Sequence, residues 1–143
     1  IPMRNPTPLH IQCPCGSVHL TLSGQPMIQL YCHCDDCRAA HAAAYVASAL
    51  YPAEAVTVTQ GTLHPRVLKT RARMACSACG SHLFSELPEF GARSVNAFLL
   101  PAGVFQPQMH LQCQHAVLPV KDDLPHYKDW PPTHSGSNET MDW

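Results

Sequence analysis

The stretch Met27-Ile-Gln-Leu-Tyr-Cys32-His33-Cys34-Asp35-Asp36-Cys37-Arg38-Ala-Ala-His41-Ala-Ala43 holds two kinds of local structure and the chemistry between them. Residues 27–33 mix apolar and β-forming side chains and read as a strand. Asp35 to Ala43 reads as a short helix, with two acids suited to its N-terminus and alanines filling it. Cys32, Cys34 and Cys37 fall at the junction. Disulfides usually close longer loops. Thiols this close in sequence suit a metal, because zinc gathers its sulfurs about 2.3 Å from one point. The corner from strand to helix is therefore predicted to bind metal.

Outward from this corner, short strands dominate. Residues 17–22 alternate and read as a strand, followed by a turn at Ser23 to Pro26. Strands are also predicted over 45–51, 55–59, 82–86, 93–98 and 109–115. One or two more are expected between Arg66 and Met74, ending at Cys76, and 101–107 reads as a loop. Roughly eight strands with turn signals between them predict a mainly β fold: a small zinc-bound antiparallel β-sandwich with one short helix. Length and composition agree. The 143 residues support one domain, and 14 prolines with only 13% charged residues argue against a helical bundle. Hydrophobic residues at 45% argue against disorder. The domain is predicted over 1–128, and 129–143, with adjacent prolines and small polar residues, as a mobile tail. Trp130 and Trp143 are the residues able to dock that tail.

A net charge of −1 gives no electrostatic case for nucleic acid or an anionic membrane. No apolar run reaches the roughly 20 residues of a membrane span. Ile1 to His10 lacks the apolar core of a signal peptide, so a reducing, cytoplasmic location is expected. A start at Ile1 rather than Met suggests that leading residues have been lost. The oligomeric state is not set by the sequence.

Two further cysteine clusters, Cys13-Pro-Cys15-Gly16 and Cys76-Ser-Ala-Cys79-Gly80, each end in glycine. A glycine there can turn with positive φ and aim its amide at a thiolate. Cys13, Cys15, Cys76 and Cys79 are therefore expected to form one closed, structural four-cysteine zinc site. Cys32, Cys34 and Cys37 would fill three positions of a second zinc and leave one open, the arithmetic of a reactive site. His33, His110 or Cys113 could instead close it. Asp36, His33 and His110 are candidates for moving a proton, and Arg38 for holding a carboxylate. Cys113, alone on a predicted strand, is expected to be a buried, inert thiol.

Together, Cys-x-Cys-Gly, Cys-His-Cys-x-x-Cys-Arg and Cys-x-x-Cys-Gly-Ser resemble the glutathione-dependent formaldehyde-activating enzyme family, which includes centromere protein V. Gly61-Thr-Leu, Val95-Asn-Ala and Pro107-Gln-Met-His-Leu also match, and the resemblance runs from about Gln12 to Pro125. It implies a zinc-bound β-sandwich related to a small Rab exchange chaperone. It also implies two zinc ions per chain on the two cysteine sets, with the substrate thiol at the second. The implied reaction is that of a carbon–sulfur lyase forming or breaking S-hydroxymethylglutathione, with glutathione as co-substrate. Two departures bear on the substrate. Ala39 stands where the family often has a second basic residue, and Phe98-Leu99 where it often has Gly-Thr. With Phe98 as a pocket residue, they point to a small, less charged thiol adduct or electrophile. A zinc hydrolase or isomerase of secondary metabolism, and a non-catalytic protein-interaction module, are the competing functions.

Overall fold

The computed structural model of the chain describes residues 8–143. Positions 1–7 of the predicted domain, and with them most of the segment read for a signal peptide, lie outside the described residues. By contacts the described residues fall into two compact units, residues 8–28 with 49–105, and residues 29–48 with 106–143. The fold is mainly β, with two sheets and one short α-helix among the described residues. Among the described residues no helix is long and apolar enough to cross a membrane.

In the first unit, β1 (Leu9–Gln12), β2 (His19–Leu22) and β5 (Val56–Gln60) form a three-stranded antiparallel sheet in the order β1-β2-β5. On β2 and just before it, Val18, Leu20 and Leu22 alternate inward and are at most 1% exposed. Each such side chain contributes about 2 kcal/mol on burial. Four more strands, β6 (Leu63–Leu68), β7 (Arg71–Cys76), β8 (His82–Leu87) and β9 (Ala92–Asn96), pair antiparallel in sequence. Leu83, Phe84 and Val95 from this ladder join the core. The run Arg66 to Met74 thus resolves into two strands, turning at Lys69 with φ of 58°.

In the second unit, β3 (Ile28–Cys32) leads into α1 (Asp35–His41), as the opening stretch predicts. Asp35 and Asp36 lie in the first turn of α1, Arg38 and His41 in the last, and Ala42 ends it in the left-handed region. β4 (Val46–Pro52) then carries the chain back to the first unit.

The last strand departs from expectation in two ways. It is predicted over 109–115, but β10 (Met109–Leu111) stops after three residues. Gln112 takes φ of 56°, and Cys113–His115 form a 3-10 turn. β10 also runs parallel to β3, pairing His110 with Tyr31 and Leu111 with Cys32. The sheets are therefore not wholly antiparallel. A parallel partner distant in sequence leaves no mark on local periodicity. The same β10 forms a parallel bridge from His110 to His126.

Residues 129–143, expected as a mobile tail, return to the unit through the chain's own bonds. Lys128 donates to the Glu139 carbonyl at 2.9 Å and Met141 to the His126 carbonyl at 2.7 Å. Trp143 packs edge-on against His33, with ring centroids 5.2 Å apart.

Candidate metal centre

Cys13 and Cys15 lie in the turn between β1 and β2, and Cys76 and Cys79 at the turn between β7 and β8. These turns bring the four sulfurs within 4.8 Å of one another. Cys13 Sγ and Cys15 Sγ are 3.5 Å apart, and Cys15 Sγ and Cys76 Sγ 3.7 Å. Four sulfurs about 2.3 Å from a central zinc lie about 3.8 Å apart in a tetrahedron, so the donor set fits that ion.

The turns are built alike. The Gly16 amide donates to the Cys13 carbonyl and the Gly80 amide to the Cys76 carbonyl, both at 2.9 Å. Gly16 and Gly80 have φ of 79° and 78°, so the expected left-handed turn is present. Their amides, however, go to backbone carbonyls rather than to sulfur. The Val18 amide donates to Cys13 Sγ at 3.3 Å, and the Ala78 and Cys79 amides to Cys76 Sγ at 3.4 Å each. Hydrogen bonds from the Ser81 hydroxyl and amide push the Cys79 thiol down to about 6, toward the thiolate a metal requires. Gly61 approaches the first turn closely. A Cβ there would stand 2.3 Å from the Ser17 carbonyl oxygen, so only glycine fits.

The second group, Cys32, Cys34 and Cys37, lies in the other unit, where β3 passes into α1. Its sulfurs also lie within 4.8 Å of one another. Cys34 caps α1, its Sγ accepting the Cys37 amide at 3.1 Å. Cys37 Sγ stands 3.7 Å from Cys32 Sγ, the tetrahedral spacing. Its 2.6 Å contact with Cys34 Sγ is about 1 Å shorter than that spacing. Crowding by Cys34 and Cys37, followed by burial, pushes the Cys32 thiol up, a state that a cation would reverse. No fourth Cys, His, Asp or Glu atom among the described residues joins the three within the same 4.8 Å. None of the eight cysteines is in a disulfide.

His33 and His110 come together in the second unit and are fully buried. Their Nε2 and Nδ1 atoms are 2.9 Å apart, and His110 Nε2 lies 2.7 Å from Asp122 Oδ2. Burial, helped by the neighbouring His110, pushes His33 down to about 4. Burial also lowers His110, outweighing the upward pull of Asp122. Burial works to raise the Asp122 carboxyl, but bonds from His110 and the Leu124 amide outweigh it and hold the group below its ordinary value.

Other candidates are more dispersed. Asp36 is half-buried in the first turn of α1. Arg38 is half-buried on the same helix, and its Nε is buried without a hydrogen-bond partner. Phe98 belongs to the first unit, on the 3-10 turn Ala97–Leu99, and is 69% exposed. Cys113 is buried, and burial pushes its thiol up to about 12, fitting the inert reading. Sequence reasoning passed over Asp122, His126 and Tyr31. Their signal is the four-residue spacing of Asp122 and His126, together with a register that aligns Tyr31, His110 and His126 across neighbouring strands.

A crystal structure of a Rhodobacter sphaeroides protein shares this fold at 19% identity, with a TM-score of 0.52 over 66% of this chain and 89% of that one. No curated protein matches the chain. The family model described as glutathione-dependent formaldehyde-activating enzyme matches residues 8–118, a span holding both cysteine groups, and the chain belongs to that family.

Proposed function

We propose that the chain is a zinc-dependent enzyme of the carbon–sulfur lyase type, acting on a small thiol adduct. The carrying observation is the contrast in donor number: four cysteines close one group and three leave the other short of tetrahedral. Cys13, Cys15, Cys76 and Cys79 would hold a structural ion. Cys32, Cys34 and Cys37 would hold a second, which when bound supplies a Lewis acid that favours the thiolate of a substrate thiol.

The chain's own residues do the rest. Arg38 on α1 takes a substrate carboxylate, since its buried Nε has no partner within the protein. His33, beside two of the thiols in sequence, handles the proton that leaves the thiol and returns to the carbonyl-derived oxygen. Burial of His33 and His110 keeps that exchange away from bulk water.

The substrate is smaller or less acidic than glutathione, whose two carboxylates would need two cations. On α1 Arg38 is the one permanently cationic side chain, and Ala39 follows it. Cobalt-substituted protein titrated with glutathione tests this directly. Weak or absent binding at the three-cysteine site, with formaldehyde adducts turned over poorly, is expected. Micromolar binding with a new thiolate–cobalt band would restore glutathione as the substrate.

A further inference from the structure

A third cluster, outside both cysteine groups, gathers His110, Asp122 and His126. Its spacing would suit a metal, but its hydrogen bonds argue for another role. His126 Nε2 lies 2.9 Å from the Val120 carbonyl oxygen and 3.0 Å from Asp122 Oδ1. Both oxygens only accept, so this nitrogen carries a proton and has no lone pair for a metal.

The same logic runs inward from Asp122. Its carboxylate accepts, so His110 Nε2, 2.7 Å away, must donate. In a neutral ring Nδ1 of His110 is then an acceptor. It faces His33 Nε2 at 2.9 Å, which must therefore donate. That leaves Nδ1 of His33 unprotonated. This atom is buried and makes no hydrogen bond in the protein. An unfilled buried acceptor is costly unless something supplies the donor.

The support around the relay holds the rings in place. Tyr31 stacks on His110 with ring centroids 4.8 Å apart, and His126 also stacks on His110, at 4.5 Å. Trp143 closes edge-on against His33 and His110. Asp122 is itself fixed by the Leu124 amide, which donates to Oδ1 at 3.0 Å.

We propose that Asp122 is a positioning residue that sets which ring nitrogen carries the proton in His110 and, through it, in His33, so that His33 offers an unprotonated Nδ1 to an S–H or O–H donor of the substrate. The use of that acceptor rests on the lyase reading above; the order of protons along the relay does not.

Two-bond proton–nitrogen correlation spectra of the zinc-loaded, nitrogen-15-labelled chain read this order without substrate. His33, His110 and His126 should all appear as Nε2–H tautomers. In Asp122→Asn the amide can donate to His110 Nε2, so His110 and His33 should both switch to Nδ1–H while His126 stays as it was. A His33 protonated on Nδ1 in the native chain, a doubly protonated His110, or an unswitched His33 in a folded Asp122→Asn would each overturn the proposal. So would a third bound zinc that Asp122→Asn removes. If the variant does not fold, the native spectrum alone still decides. The expected tautomers in a chain with no reactive second zinc would sink the lyase reading and leave this one standing. Failed tautomers in a chain with both zinc ions would do the reverse.

Discussion

The two cysteine groups use the same side chain for different ends. The four-cysteine group gathers four sulfurs within 4.8 Å of one another between two matched turns. Matched turns, amides aimed at sulfur and a glycine packed against Ser17 all support its geometry. The three-cysteine group has one thiol buried at the end of β3 and two half-buried at the start of α1. Its donors stop at three. Donor number and local support, rather than the number of cysteines in the chain, separate a site that holds a fold from one able to hold a ligand.

The largest effect expected from breaking this contrast is at the closed site. Cys76→Ser removes a ligand from a group whose metal affinity is also folding energy, on the order of 10 kcal/mol in small zinc domains. That rivals the whole stability of a domain this size. The variant should lose cooperative thermal unfolding and its metal. A native-like melting curve would contradict the structural assignment.

Gly61→Ala tests the same site without touching a ligand. The added methyl meets the Ser17 carbonyl, and φ of 91° is unsuited to alanine. A loss of roughly 3 kcal/mol is expected by denaturant titration. A loss under about 0.5 kcal/mol would mean that the turn shifts freely.

Cys34→Ser should behave oppositely. Activity and one zinc should be lost, while stability changes by only about 1 kcal/mol, the scale of a helix cap. Equal destabilisation by Cys34→Ser and Cys76→Ser would erase the distinction between the groups.

These two groups were the most legible part of the chain, because thiols that meet at one point recur at close spacing in the sequence. Cys13-Pro-Cys15 and Cys76-Ser-Ala-Cys79 announce their pairing through the shared glycine. The strand-to-helix passage at Cys32 was legible for a similar reason: periodicity changes there and acids mark the helix start. What was hidden depended on partners distant in sequence. β1 has four residues, too few for an alternation to register. The parallel pairing of β10 with β3 is set by tertiary contacts, and so is the end of β10 at a left-handed Gln112. Asp122 sits beside Lys121 and Asp123 and reads as one more solvated charge. Only folding brings it to a buried histidine.

The smallest expected effect is one of pH. Burial lowers His110 in the folded state, so between its ordinary value near 6.5 and the lowered one the unfolded chain binds more protons. Stability from this group is therefore present above about pH 6.5 and is lost as the pH falls through that window. Melting temperature should drop on acidification from pH 7, and the drop should be shallower in His110→Gln. Parallel curves for the two proteins would show that His110 does not report its burial.

The central claim is that one group is closed at four sulfurs and the other stops at three. Zinc X-ray absorption on the full chain, purified without added metal and paired with elemental analysis, tests it most directly. The account predicts two zinc ions per chain, one with four sulfur neighbours and one with three sulfurs and a lighter atom, the second signal alone vanishing in Cys34→Ser. A single zinc per folded chain, or two ions each with four sulfurs, would contradict it.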